Sequence, residues 1–187
     1  MLNLELYEKI KEEVKNDLTA HNSQQWYKYS YNLFTSHKLV SIDDFWKTVA
    51  FSYSWMPTIP TIHYEKIEGK EPQLLEELKK LQQGKGNINW LITTLTPVIN
   101  NSVVGTSKTL HFIAPDIIPI YDSRVIKAWE KLFKNDSELT LKSKKGDIEK
   151  ILFFIEKMHE WKATIGIENN KITLRDIELI LYYYGKH

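Results

Sequence analysis

Residues 105–132 read GTSKTLHFIAPDIIPIYDSRVIKAWEKL, and the rest of the chain can be interpreted outward from this stretch. Its pattern predicts a short helix, a connector that contains Pro115 and Pro119, and a second helix that begins at an acidic residue. Lys108 lies near the start of the first predicted helix, and Asp122 lies at the start of the second. The connector is too apolar to be a free surface loop. We therefore expect it to pack against the protein and to fix the position of Lys108 relative to Asp122.

The composition is typical of a folded, soluble protein. The chain has 187 residues, of which 42% are hydrophobic and 26% charged. This length predicts a single helical domain over residues 1–187, with a small lobe formed by the N-terminal helices as an alternative. The first residues lack the apolar core of a signal peptide, and no apolar run is long enough to span a membrane. We expect a cytoplasmic protein that makes no contact with a membrane.

Charge and motif content narrow the classes of site and partner. The absence of cysteine excludes disulfides, cysteine-based zinc sites and thiol catalysis. The six histidines show no i, i+4 pairing, and the chain contains no Walker-type glycine loop. We therefore expect neither a metal ion nor a cofactor. The net charge of +1 gives no support to an extended electrostatic grip on nucleic acid, although it leaves room for a local basic patch.

Apolar residues recur at helical spacing through most of the chain, so we predict an all-α fold of about eight helices. The clearest helix starts are Ser41 as an N-cap, Pro72 in a first turn, and Thr173 with Asp176 as a capping box. The other predicted helices outside the central stretch cover residues 3–18, 23–33, a segment from 87 or 89 to 97, and 148–162 behind an N-cap at Asp147.

Three segments do not fit the helical pattern. Short β-branched pieces at residues 61–62 and 165–167 are the only strand candidates. The proline-rich segment of residues 57–72 is a long connection, and long connections in compact domains often bind ligands.

The stretch of residues 105–132 resembles the core of the helix-hairpin-helix DNA glycosylase superfamily, the 8-oxoguanine glycosylases included. In that family a glycine-containing turn leads into a helix whose early lysine is the nucleophile of the bifunctional members. A loop then delivers an aspartate to the start of the next helix. The comparable words here are GTSK and PIYDSRVIKAW, with Pro119 and Val125 at the flanking positions of the pattern. The resemblance implies a DNA glycosylase-like fold, in which Lys108 takes the lysine role and Asp122 the aspartate role.

The activity that the resemblance implies is base excision from DNA, with or without lyase activity. Such a protein acts on a flipped-out or modified nucleobase, so DNA or a nucleotide is the expected partner. Asp122 would stabilise the oxocarbenium-like transition state, in which positive charge develops on the sugar. Lys108 would act as the nucleophile, for which its amine has to be neutral; neighbouring apolar residues could supply the necessary burial.

Six further side chains are candidates for binding the base and the backbone. They are Trp46, Tyr53 and Trp55 on the helix that follows Ser41, His63 in the proline-rich segment, and Tyr121 and Arg124 on either side of Asp122.

Several of these residues have a structural interpretation as well. Aromatic residues at helical spacing are what a buried core provides. A cation in the first turn of a helix opposes the helix dipole, so Arg124 is expected to have a partner. That partner is an internal carboxylate, Asp122 or Asp116, or else a bound phosphate. An N-cap by itself accounts for Asp122, and Lys108 can be an ordinary surface lysine.

These interpretations leave a second function open. The protein can be a non-catalytic helical binding module that keeps the glycosylase-like fold and binds a nucleotide or a protein partner. The near-neutral charge favours this alternative, as does the presence of Thr106 and Ser107 where the family hairpin has a second glycine. The lysine–connector–aspartate arrangement favours the enzyme.

Overall fold

The computed structural model describes the backbone of residues 1–187 and every side chain outside residues 25–27. The regular structure throughout this backbone is helical, so the prediction of an all-α fold is confirmed. The ten α-helices are α1 (Leu4–Glu13), α2 (Lys15–Asn22), α3 (Gln25–Thr35), α4 (Ile42–Ser54), α5 (Glu71–Gln82), α6 (Ile88–Leu95), α7 (Val103–Ile113), α8 (Ser123–Phe133), α9 (Asp147–Glu168) and α10 (Leu174–Tyr184). Single 3₁₀ turns lie at Tyr64–Lys66 and Leu141–Ser143.

The chain divides into two compact units. The terminal unit contains Met1–Lys28 and Pro119–His187, and the central unit contains Tyr29–Ile118. The boundary lies within the predicted connector, so Lys108 belongs to the central unit and Asp122 to the terminal unit. In the terminal unit, α1 and α2 pack with α10. That the whole chain forms a single domain stays a prediction.

Helix α4 begins at a capping box in the central unit. The Asp44 carboxylate accepts the backbone N–H of Ser41 at 2.9 Å, and Lys47 Nζ lies 3.0 Å from the same side chain. The Ser41 N–H, and after it the Lys47 ammonium, hold the pKa of Asp44 well below its usual range. The opening turn of α4 is therefore fixed by local hydrogen bonds, as the Ser41 prediction requires.

The core of the terminal unit is aromatic. The fully buried ring of Trp129 on α8 meets Phe154 and Trp161 of α9 edge to face, with centroids 5.2 and 6.4 Å apart. The indole Nε1 donates a hydrogen bond of 2.7 Å to the carbonyl of Leu139, so this buried polar atom is satisfied. These contacts fix α8, and Asp122 at its start, against the body of the unit.

Three boundary predictions are wrong. Asp147 was predicted to be the N-cap of α9, but Gly146 has that position and Asp147 is the first residue of the helix. The single helix predicted over residues 3–18 is broken at Val14. The side chain of Val14 is buried and continues the apolar stripe of α1. Apolar periodicity therefore does not reveal the break. The strand candidate at 165–167 is the last turn of α9, because the buried series of Met158, Trp161 and Ile165 keeps helical spacing through Gly166. The other candidate, at 61–62, contributes one isolated antiparallel bridge.

Candidate functional site

Asp122 is the N-cap of α8, as predicted from the sequence. Its backbone is extended, and its Oδ1 accepts the N–H groups of Arg124 and Val125 at 3.0 and 3.1 Å. The side chain is half-buried. Two backbone donors and the positive end of the helix dipole therefore hold a carboxylate in one orientation at the mouth of the helix.

The residues on either side of Asp122 have different surroundings. Tyr121 is buried with its ring edge to face against Phe154, and burial raises the pKa of its hydroxyl to about 12. Arg124 is exposed; it donates to the hydroxyl of Tyr182 on α10 and lies over that ring, 4.9 Å from its centroid. The expectation that Arg124 pairs with an internal carboxylate is therefore wrong, because α10 brings an aromatic acceptor to this position instead.

A buried histidine holds the connector on the side of the central unit. His111 is completely buried in α7; its Nδ1 lies 2.6 Å from the carbonyl oxygen of Ile118, and its Nε2 lies 2.8 Å from the hydroxyl of Tyr31. Ile118 is itself fully buried, as the apolar composition of the connector predicts. His111 could not be singled out from the sequence, because tertiary packing selects both of its hydrogen-bond partners.

A buried glutamate holds the connector on the side of the terminal unit. Glu178 of α10 is 2% exposed; its Oε2 accepts the N–H of Ile120 at 3.0 Å, and its Oε1 pairs with Arg175. Glu178 thus fixes the backbone two residues before Asp122. The Arg175–Glu178 pair has the i, i+3 spacing that helices favour, which is the only trace of this arrangement in the sequence.

Lys108 lies in the middle of α7, and the expectation that it stands near the helix start is wrong. The helix begins at Val103, because the hydroxyl of Ser102 accepts the N–H of Gly105 at 3.1 Å and caps it. Lys108 is half-buried and is flanked by the buried residues Ser107 and Thr109. The convergence of Lys108 and Asp122 on one substrate stays a prediction.

The turn between α6 and α7 is made by two asparagines. Asn100 and Asn101 have φ values of 58° and 49°, the left-handed region that asparagine tolerates better than most residues. His63 lies beside this turn. Its backbone N–H donates to the carbonyl of Val98 at 2.9 Å, and its ring Nε2 lies 3.3 Å from the side-chain amide of Asn101. The other ring nitrogen of His63 is 3.4 Å from the Glu65 carboxylate. The chain therefore turns between α6 and α7 without glycine.

Gly105 has a packing role inside α7. The family resemblance implied that it forms the hairpin turn, and this expectation is wrong. A Cβ at Gly105 would overlap the hydroxyl of Tyr53, which comes from α4. Tyr53 is 6% exposed, and its hydroxyl makes no well-formed hydrogen bond within the described part of the chain. Burial raises the pKa of this hydroxyl, and the nearby Asn100 side chain lowers it in part.

The two candidate tryptophans, Trp46 in α4 and Trp55 at the C-cap of α4, belong to separate ring clusters among the described side chains. Trp46 contacts the rings of Phe45 and Tyr64, with centroids 4.9 and 6.2 Å apart. Trp55 lies 6.3 Å from Phe112, in a cluster that extends through α7. Both tryptophans are half-buried. These positions favour the interpretation that the two tryptophans pack in the core over the interpretation that they form one wall of a base-binding pocket.

The remaining observations concern metal ions, membranes and similarity to other proteins. The described side chains contain no group of three or more His, Asp or Glu residues placed to hold a metal ion. Within the same part of the chain, no helix has the length and apolar character needed to cross a membrane. Comparison with protein-family models, with curated proteins and with solved structures gave no match.

Proposed function

We propose that the protein is a DNA glycosylase-like protein that acts on a flipped-out or modified nucleobase. The observation that supports this proposal most is the carboxylate of Asp122, which two backbone N–H groups hold at the start of α8. A fixed carboxylate stabilises developing positive charge without having to reorganise during the reaction. An aspartate in a mobile loop would give the proposal much less support.

The proposed reaction breaks the bond between the sugar C1′ and the base nitrogen. The base leaves with the bonding electrons, and positive charge develops on the sugar beside Asp122. A water oxygen or the neutral amine of Lys108 then forms the new bond to C1′ and gives up a proton. With the amine, the bond between C1′ and the ring oxygen O4′ then breaks, the remaining amine proton moves to O4′, and the C1′–nitrogen bond becomes the double bond of an imine. Borohydride reduces this imine to a stable covalent adduct.

A second candidate is a non-catalytic module that binds a nucleotide or a protein. It is favoured by the packing of Trp46 and Trp55 into separate ring clusters, since a base-binding pocket needs aromatic walls that face a common space. In this alternative Asp122 only caps α8.

The test combines excision and trapping on DNA that carries 8-oxoguanine, uracil or an abasic site. We expect wild-type protein to release a base and Asp122→Asn to be slower by roughly 10²–10³-fold, the usual loss when one charge-stabilising group is removed. Borohydride trapping should be abolished by Lys108→Gln. Asp136→Asn is the matched control, because the Asp136 Oδ1 also accepts two backbone N–H groups, from Glu138 and Leu139.

Three results would contradict parts of the proposal. An adduct that survives Lys108→Gln removes Lys108 as the nucleophile. Equal loss of excision in Asp122→Asn and Asp136→Asn shows that the loss does not report on the chemistry. If wild-type protein binds a nucleotide but neither excises nor is trapped on any of these substrates, the binding-module alternative replaces the enzyme.

A further inference from the structure

The outward face of α8 carries a row of cations. Arg124, Lys127, Lys131 and Lys134 follow one another at intervals of three, four and three residues, and all four are exposed. Lys134 is the C-cap of α8 and still has helical backbone. This spacing places them on one side of a helix. At a rise of 1.5 Å per residue the row is about 15 Å long. We call these four residues the α8 stripe.

Among the described side chains, the cations of the α8 stripe lack the carboxylate partners that several other helical cations have. Elsewhere, Lys11 pairs with Glu8 at 3.1 Å and Lys80 pairs with Glu76 at 2.7 Å. Within the described residues, none of the four stripe cations lies within ion-pair distance of a carboxylate. Their charge is therefore available to a partner from outside the chain.

Three acids lie in α8 or shortly after it, and two of them, Asp136 and Glu138, line one surface pocket together with Lys131 and Lys134. Glu130 is the only acid on α8; its Oε2 is buried without a hydrogen-bond partner among the described residues, and its charge contributes to the raised pKa of the buried Tyr121. Asp136, beyond the end of the helix, accepts the backbone N–H groups of Glu138 and Leu139. Glu138 is exposed.

Aromatic rings of α10 hold two of the stripe cations in place. The Arg124 guanidinium lies over Tyr182, and Lys131 Nζ lies 4.2 Å from the ring centroid of Tyr184. The approach of α10 requires Gly185, since a Cβ there would overlap the carbonyl of Arg124. Side chains restrained in this way lose less conformational entropy when they bind a ligand.

We infer that the α8 stripe binds the sugar–phosphate backbone of a nucleic-acid strand. One strand of a duplex presents a phosphate about every 3.4 Å along the axis, so a row of about 15 Å spans about four phosphates. Insertion into a lipid surface does not fit, because the apolar face of α8, with Val125, Ala128 and Trp129, is buried in the protein. This inference rests on the proposed function only for the choice of nucleic acid as the bound polymer. It does not depend on the chemistry of Asp122.

The test measures the salt dependence of DNA binding with Asp122 intact. The stripe variant carries Lys127→Gln, Lys131→Gln and Lys134→Gln. The control variant carries Lys9→Gln, Lys142→Gln and Lys145→Gln, which remove the same charge from exposed positions in the same unit. The probe is a fluorescent duplex of about 20 base pairs, with its single strand in parallel, followed by anisotropy between about 0.05 and 0.2 M salt.

Four phosphate contacts predict that wild-type affinity for the duplex falls by about 150-fold over this range, because log K changes by roughly 0.9 per contact for each decade of salt. The control variant should behave as wild type. The stripe variant should bind more weakly and lose only about 3- to 4-fold. A second variant with arginine at the same three positions should restore both the affinity and the slope, because it keeps the positive charge. Equal melting temperatures of the glutamine variant and wild type exclude misfolding as the cause.

Equal weakening of the stripe and control variants overturns the inference, as does the absence of DNA binding by wild type at the lowest salt. It is also overturned if wild type binds vesicles that are roughly one-third phosphatidylserine through these lysines but does not bind DNA. Stripe-dependent binding without base release leaves the inference standing and removes the glycosylase proposal. If wild type and the stripe variant release the base at the same rate, the inference about the stripe is overturned and the glycosylase proposal stands.

Discussion

Substitutions of Asp122 can separate its role as a helix cap from its proposed role in chemistry. Asp122→Asn keeps an oxygen that can accept the N–H groups of Arg124 and Val125, now at 3.0 and 3.1 Å. Asp122→Ala removes it. We expect alanine to lower the free energy of unfolding by about 1 kcal/mol, and asparagine by a few tenths, since asparagine is an equally good cap that lacks only the charge at the helix dipole.

The expected activities follow a different order. Both variants lack the carboxylate, so both should lose base release by roughly 10²–10³-fold. The alanine variant alone should melt about 2–4 °C lower, the shift that 1 kcal/mol produces in a chain of this size. Thermal unfolding ranks the variants by stability, and single-turnover excision ranks them by activity. Both should be measured on the same preparations.

The refuting results are distinct for the two roles. If Asp122→Asn excises at the wild-type rate, the carboxylate is not part of the chemistry. If asparagine destabilises as much as alanine, the two N–H hydrogen bonds do not account for the cap. Asp136→Ala provides the control, because it removes a similar pair of backbone hydrogen bonds and should cost stability without affecting excision.

Three further predictions concern stability. Gly105→Ala places a methyl group against the Tyr53 hydroxyl and should lower the free energy of unfolding by about 1–3 kcal/mol; a urea double-mutant cycle should show that Tyr53→Phe recovers part of the loss, and strict additivity would contradict the overlap. Glu178→Ala leaves Arg175 without its buried partner and should cost about 3 kcal/mol or more in the same assay, whereas a loss under about 0.5 kcal/mol would show that the pair is not buried in solution. The folded-state pKa of Asp44 lies below its ordinary value near 3.8, so its stabilisation is complete above that value and is lost as the pH falls through the folded-state pKa. The melting temperatures of wild type and Asp44→Asn should therefore converge at strongly acidic pH, and a constant gap between them would contradict the shift.

Features that depend on a few neighbouring residues could be predicted from the sequence. The helical class follows from apolar spacing, and the caps at Asp122 and Thr173 follow from side chains that accept N–H groups two or three residues further on. At Ser41 the Asp44 carboxylate accepts the Ser41 N–H, as the capping-box pattern predicts. The start of α7 was missed because the cap is Ser102 and the turn before it uses two asparagines, although a pair of asparagines is itself a signal for left-handed backbone.

The candidate site could be predicted only in part, since most contacts of its side chains come from distant segments. Arg124 was expected to pair with an internal carboxylate or with a bound phosphate, but it donates to Tyr182, 58 residues further along the chain. Trp46 and Trp55 were candidates for one wall, and packing places them in two ring clusters. Periodicity shows which face of a helix is buried and does not show what covers it.

The sequence by itself determined that this protein is helical, that α8 begins at Asp122, and that four cations, Arg124, Lys127, Lys131 and Lys134, recur at the spacing of one helix face. Each of these follows from local hydrogen bonding or from the pitch of one helix. The tertiary structure decided that His111 and Glu178 hold the two ends of the connector and that α10 supplies the rings over which two of those cations lie. Those choices join residues far apart in the chain, and only the packing of buried side chains selects them.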